Sequence, residues 1–287
     1  MDLSNLFSVK GKTIILTGAS SGIGVTMAEG LAAAGANVVL AARRVDAIQT
    51  LARKLAQAGG TALAVHCDVA DSASVAAMVK TAWEHFGYVD VLVNNAGVAA
   101  DAGLMPEHIP DEAFAQTIQV NVMGTWYCAQ QVGQRMLADG RGGSIINIAS
   151  IMGIAGQQNG PAAYQTSKAA VINMTRNLAN SWADRKVRVN AIAPGWFPSE
   201  MTAGWFAIPQ FLARFLEETP MNRVGEPEEL MGPLLFLASD ASSFVTGHTL
   251  VVDGGVTASV GGQYTPELFE IATQVLGPAG TRIMPPA

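Results

Sequence analysis

Seven short apolar runs, rich in β-branched residues, recur along the chain at Thr13–Thr17, Asn37–Ala41, Ala62–Cys67, Val89–Val93, Ser144–Ile148, Val187–Ala191 and Leu250–Val252. Each is apolar on both faces, which predicts strands of a parallel sheet covered on both sides. Most of the intervening segments have helical period. Val75, Met78, Val79, Ala82, Trp83 and Phe86 recur in steps of three and four, and so form one stripe on one helix face. Asp71-Ser72, just ahead, supplies the side-chain oxygen that a helix start wants. Strands alternating with helices predict the α/β class, a doubly wound seven-stranded parallel sheet with helices on both faces. No linker, repeat or low-complexity tract breaks the pattern before about residue 255, so residues 1–255 are expected to form one domain. Two long helical stretches, 111–137 and 162–182, carry more Ala, Met and aromatic surface than one sheet face needs. Ordinary core and a helix–helix subunit interface are both open readings of that excess.

Composition narrows the function classes. Among 287 residues, 49% are hydrophobic and 14% charged, as in a soluble globular protein with a large interior or subunit interface. A net charge of −6 leaves no basic footprint for nucleic acid. No apolar run reaches the roughly 18 residues of a membrane span. Cys67 and Cys128 are too few for a disulfide framework and lack metal-ligand spacing, so no metal is expected. Met1-Asp2-Leu3-Ser4-Asn5 lacks the basic and apolar regions of a signal peptide. The expectation is a cytoplasmic protein with a small-molecule partner.

The chemistry begins after the first strand, with Thr17-Gly18-Ala19-Ser20-Ser21-Gly22-Ile23-Gly24. Glycines let the backbone approach a pyrophosphate, and the helix N-terminus that follows offers it free N–H groups. Alone such a loop could be an ordinary tight turn; after the first strand of a βαβ unit it is a strong signal. Its Thr-Gly-x3-Gly-x-Gly spacing resembles the short-chain dehydrogenase/reductase family, and the likeness runs from about Gly11 to Gly255. The resemblance implies a Rossmann-type fold and cofactor contacts at Gly18, Ser20, Ser21, Gly22, Ile23 and Gly24. It also implies that Asp68-Val69 binds adenine and that Asn94-Asn95-Ala96-Gly97 packs on the adenine ribose. It favours the interface reading of the long helices, hence a homotetramer or homodimer.

The end of the second strand bears on which nicotinamide cofactor is used. A site preferring NAD usually places Asp or Glu there, about 20 residues past the loop. Here that position is Ala42, followed by Arg43 and Arg44. A missing carboxylate and two guanidinium groups favour the 2′-phosphate of NADP(H). The alternative is that both arginines are simply solvated at a helix start.

Tyr164-Gln165-Thr166-Ser167-Lys168 places Tyr and Lys four residues apart, on one helix face. With Ser150 fourteen residues upstream and Asn121 in the preceding long helix, the set resembles the family's active site. Hydride addition to a carbonyl carbon builds charge on oxygen, which a donor must meet with a proton. Tyrosine has pKa about 10, and a lysine ammonium about 4 Å away would draw it towards neutrality. The resemblance adds a ribose contact for Lys168, a water relay for Asn121, and a substrate-holding role for Ser150. Pro194-Gly195-Trp196-Phe197-Pro198-Ser199 resembles the turn that holds the nicotinamide carboxamide. Cofactor contacts are implied at Pro194, Gly195, Phe197, Ser199 and Met201, with pro-S hydride transfer.

The following segment, about 196–216, matches the position of a lid. Met201, Trp205, Phe206, Ile208, Phe211, Leu212 and Phe215 suggest a bulky apolar ketone or aldehyde, unless they pack on the body or a neighbour. Arg141 and Arg185 fall near positions where related 3-oxoacyl-carrier-protein reductases dock the acidic carrier, which is the alternative activity. A non-catalytic NADP-binding sensor is a third reading, and the intact tetrad argues against it. Beyond Gly255 a 32-residue extension carries a predicted short helix, opened by Thr265-Pro266-Glu267, with Leu268, Ile271, Ala272 and Val275 on one face.

Overall fold

The computed structural model describes residues 5–259 and, beyond them, Glu267, Glu270, Ile271 and Gln274. Its strands are β1 (Thr13–Thr17), β2 (Asn37–Ala42), β3 (Thr61–His66), β4 (Val91–Asn94), β5 (Gly143–Ile148), β6 (Val187–Pro194) and β7 (Thr249–Val252). All pair in parallel, in the order β3-β2-β1-β4-β5-β6-β7. The order reverses between β1 and β4. Such a switch point opens a crevice beyond the carboxyl ends of the strands, where doubly wound sheets bind ligands.

The helices are α1 (Ile23–Ala33), α2 (Val45–Gln57), α3 (Ser72–Phe86), α4 (Asp111–Ile118), α5 (Gly124–Asp139), α6 (Ala162–Trp182), α7 (Ala203–Phe206), α8 (Pro209–Glu218) and α9 (Met231–Ala238). Strand alternation sends successive side chains to opposite faces. Ile14, Leu16, Val38 and Leu40 pack with α1, α2 and α9, while Ile15 and Val39 pack with α3 and α5. The sheet is therefore the middle of three layers. The Asp71 carboxylate caps α3 as expected, accepting from the Ala73 N–H at 2.9 Å.

Two expectations need correction or bounding. The helix expected to run unbroken over 111–137 instead passes through a π turn, Gln119–Met123, between α4 and α5. The periodic pattern hides a one-residue bulge because both flanking helices keep their own apolar faces. In the extension, Glu267, Glu270, Ile271 and Gln274 are helical and exposed. The other members of the expected apolar face, Leu268, Ala272 and Val275, lie outside the described residues.

Candidate active site

A cleft of about 570 Å³ opens at the switch point. Of the catalytic and cofactor-contact residues expected from the sequence, all but Gly24, Asn94 and Asn121 line it. Gly24 belongs to the wall behind: a Cβ there would collide with the Gly18 carbonyl. Gly18 itself has φ +69°, and its Cβ would lie 2.8 Å from the Ala96 Cα. Only glycine permits that backbone and that approach. Asn95 closes the same corner, its Nδ2 donating to the carbonyls of Thr17 and Gly18 at 3.1 and 3.2 Å. The Thr17 hydroxyl accepts from the N–H groups of Asn95 and Ala96, each at 3.1 Å. Thus the loop after β1 and the loop after β4 brace each other where a pyrophosphate would lie.

The adenosine end is set by β2 and β3. Ala42 closes β2 as a buried residue with no carboxylate to offer, and Arg43 stands exposed at the rim. Arg44, expected either to meet a 2′-phosphate or to be simply solvated, has a protein partner instead. It forms a two-pronged ion pair with Glu200, from the turn after β6, at 3.1 and 3.0 Å. Glu200 was missed by sequence reasoning, since nothing local marks a residue 156 positions away as a partner of Arg44. Asp68 accepts from the Ala70 N–H at 3.0 Å, which fixes its turn at the cleft edge beside Val69. No side chain caps the start of α1, so its N-terminal N–H groups are left for an anion. The glycine corner, the uncapped helix start and the cation-lined far end fit a nicotinamide dinucleotide.

The reactive end comes from β5, the π turn and α6. Ser150 follows β5 and is buried; its hydroxyl hydrogen bonds the Tyr164 hydroxyl. One helical turn separates Tyr164 from Lys168, whose ammonium lies 5.4 Å from the tyrosine ring centroid. The Lys168 Nζ donates to the Ile148 carbonyl at 2.8 Å. Burial raises the Tyr164 pKa, and the Ser150 hydrogen bond only partly offsets it. Burial also lowers Lys168, from 10.5 to about 8. The expected drift of Tyr164 towards neutrality is therefore not found. Desolvation is the largest influence on both groups, and it disfavours the charged form of each.

Asn121 sits behind these groups, in the π turn, buried, with its side chain fully engaged. Its Oδ1 accepts from the Val98 N–H and its Nδ2 donates to the Val98 carbonyl, both at 2.8 Å. The same Nδ2 lies 2.9 Å from the Ser167 hydroxyl. Asn121 therefore clamps the loop after β4 to the catalytic helix. The π turn, a feature that often marks functional sites, is what aims it there. A second brace reaches α6 from that loop. The buried Asp101 Oδ2 accepts from the Ala163 N–H at 2.7 Å, at a helix start whose own N-cap is Pro161. Asp101 was also missed, because nothing in its local sequence sets it apart from an ordinary turn residue.

The segment expected as a lid forms α7 and α8. Trp196, Trp205, Phe206, Phe211 and Phe215 do not line the cleft; of that segment's apolar residues, Phe197 and Met201 do. The rings pack on one another instead: Trp196 stacks on Phe215 at 4.2 Å, and Trp205 meets Phe211 edge-on at 4.8 Å. Aromatic surface on a short segment is stabilised by its own stacking before any ligand arrives. Arg141 and Arg185, considered as carrier-docking residues, are both engaged. Arg141 lies over the Tyr88 ring at 3.4 Å, and Arg185 donates to the Ser181 carbonyl at 2.7 Å.

Comparison with known proteins accords with this geometry. A family model described as enoyl-(acyl carrier protein) reductase matches residues 18–257. The chain is 37% identical to the 2-dehydro-3-deoxy-D-gluconate 5-dehydrogenase of Dickeya dadantii, over 88% of this chain and 97% of that one. It is 38% identical to a 3-oxoacyl-[acyl-carrier-protein] reductase of Synechocystis, over 87% and 98%. A putative gluconate 5-dehydrogenase from Beutenbergia cavernae, solved with bound NADP, superposes with TM-score 0.83 at 41% identity, covering 88% of this chain and all of that one. The chain belongs to the short-chain dehydrogenase/reductase family. It is an oxidoreductase acting on CH–OH and C=O groups. Among the described residues, no helix is long and apolar enough to cross a membrane, and no cluster of ligating side chains could hold a metal ion.

Proposed function

We propose that the protein is an NADP(H)-dependent carbonyl reductase, working reversibly on a bulky, apolar ketone or aldehyde. When bound, the reduced nicotinamide supplies hydride to the carbonyl carbon. Tyr164 delivers the proton to the oxygen, and Ser150 holds that oxygen by hydrogen bonding as charge develops. Lys168 holds the sugar next to the nicotinamide and favours the tyrosinate left behind. Asn121 keeps the loop after β4 against α6, so Tyr164 and the substrate loop stay in register. The protein has one catalytic domain, residues 1–255, with 196–216 as its lid. It associates as a homotetramer or homodimer through 111–137 and 162–182, which light scattering on the purified protein tests.

One observation carries the substrate class. Met105, Ile154, Met201, Ile208 and Phe211 are each 41–46% exposed, and they come from the three segments that follow β4, β5 and β6. Met201 lines the cleft itself, and exposed apolar side chains on the segments that follow these strands favour an apolar ligand. Charge agrees with this reading. The cations lining the cleft are Arg43 and Arg44, at the adenosine end, and Lys168. Arg214 in α8 is paired with Glu217 and Glu218, and Arg223 with Glu229. A substrate carboxylate, such as a sugar acid carries, would find no free cation beside Ser150 among the described residues. NADPH oxidation followed across aryl ketones, acetoacetyl thioesters and keto sugar acids tests the proposal. The aryl ketones should show the highest kcat/KM; a clear preference for keto sugar acids would overturn it.

A further inference from the structure

The cleft contains an anion of its own. Glu200 follows Ser199 in the turn after β6, and its carboxylate takes both Arg44 Nη donors, at 3.1 and 3.0 Å. Arg44 Nε donates to the Ser20 hydroxyl at 3.1 Å. Arg44 first, and the Ser21 hydroxyl after it, hold that acid below its usual pKa. All four residues line the cleft. A planar carboxylate gripped by a guanidinium fork and a loop hydroxyl is bound as a phosphate would be. The two side chains are 50% and 63% exposed, so the pair lies in water and can exchange.

We propose that Glu200 is a cofactor-specificity residue, competing with the cofactor's 2′-phosphate for Arg44 and the Ser20–Ser21 hydroxyls. This rests on the NADP(H) reading above. A cofactor without the 2′-phosphate leaves the pair in place. A phosphorylated one takes over Arg44 and repels the Glu200 carboxylate, so the turn behind it is released from the β2 side of the cleft. That turn is knit on its own. The Thr202 hydroxyl donates to the Phe197 carbonyl at 2.7 Å and accepts from the Ser199 N–H at 2.9 Å. It therefore leaves as a unit. Glu200 thus makes the preference for NADP(H) smaller than Arg43 and Arg44 alone would set, and links 2′-phosphate binding to the base of α7.

Glu200→Gln keeps the shape and removes the charge. Titration calorimetry on the full chain, with adenosine 2′,5′-bisphosphate and 5′-AMP as probes, reads the effect without turnover. The bisphosphate should bind about fivefold tighter to Glu200→Gln than to the parent, the loss of one two-pronged exposed ion pair, and 5′-AMP within about twofold. In an Arg44→Ala background the same substitution should raise the ratio of the two affinities by about twofold at most, since Arg44 is the main group contested. An unchanged ratio in the single variant, or one that falls, overturns the proposal; so does a gain that is undiminished without Arg44. The NADP(H) reading is judged separately. If neither the parent nor Glu200→Gln prefers the bisphosphate over 5′-AMP, that reading fails. If the parent alone lacks the preference and the variant acquires it, both stand.

Discussion

The two ends of the cleft are built on different principles. The cofactor end is a set of backbone positions and short hydrogen bonds: Gly18 against Ala96, Asn95 to two carbonyls, Thr17 to two N–H groups. The other end is met by three segments, those that follow β4, β5 and β6, which carry the partly exposed Met105, Ile154, Met201, Ile208 and Phe211, and of these Met201 lines the cleft. Directional contacts demand particular residues at fixed spacing. Apolar contact does not, since it scales with area and is indifferent to which side chain supplies it. One end can therefore serve a single cofactor across many enzymes while the other is free to diverge.

Four substitutions would break or sharpen that contrast. The largest effect is expected where the two ends meet. Tyr164→Phe should lower kcat by about 10²–10⁴-fold, the usual range for losing a proton donor. Dinucleotide affinity, measured by fluorescence titration, should stay within about twofold; a variant keeping a tenth of its turnover would remove Tyr164 from the role. Lys168→Met should also abolish turnover, and its stability carries a pH signature. Lys168 is held at about 8 in the folded protein against an ordinary 10.5. Between those values the unfolded chain binds the extra proton, so the parent gains stability as pH rises through the window. Melting curves should place the parent furthest below the Met variant under pH 8, with the gap closing towards pH 10.5. A gap independent of pH would show that burial of the ammonium is not the cause.

Smaller effects are expected at the cleft's extremities. Ala42→Asp should reduce kcat/KM for NADPH on the order of tenfold while sparing NADH, by setting a carboxylate against the 2′-phosphate. Parallel losses with both cofactors would point to damage at β2 instead. Trp205→Ala should reduce kcat/KM for a bulky aryl ketone about fivefold and leave a small aliphatic ketone nearly unchanged, consistent with the area of one partly shared ring. Equal losses would mean that Trp205 only supports α7 and α8.

The same division explains what could be read from the sequence. All seven strands were visible, the five inner ones because strands covered on both faces must be apolar throughout; boundaries moved by up to three residues, as where β4 begins at Val91 rather than Val89 and β6 runs on to Pro194. The glycine loop, Ser150, Tyr164 and Lys168 were legible because their chemistry fixes both type and spacing, and the cleft brings them together. Illegible were features that depend on distant partners. Periodicity could not show the π turn that aims Asn121, nor that Arg44 meets Glu200, nor that Asp101 reaches Ala163. The approach of Tyr164 to neutrality was expected from spacing alone, whereas desolvation, which pushes the phenol up here, depends on what packs around it.

Asp101 also has a consequence for the order in which the molecule assembles. The carboxylate that receives the Ala163 N–H lies 62 residues upstream, so the start of α6 is closed by a contact outside its own sequence. Such a contact forms only after a long stretch of chain has been ordered, which is slow compared with winding a helix. On a ribosome, the loop bearing Asp101 emerges first and must wait for β5 before its partner arrives. The sheet's first four strands can pair in the meantime, since the β1–β2, β2–β3 and β1–β4 ladders need nothing beyond Asn94. The dinucleotide corner, shared by Gly18 and Ala96, is thus complete in the nascent chain before Tyr164 has a fixed place. A folding chain of this kind gains the glycine corner of its cleft before it gains the segments after β5 and β6 that complete it.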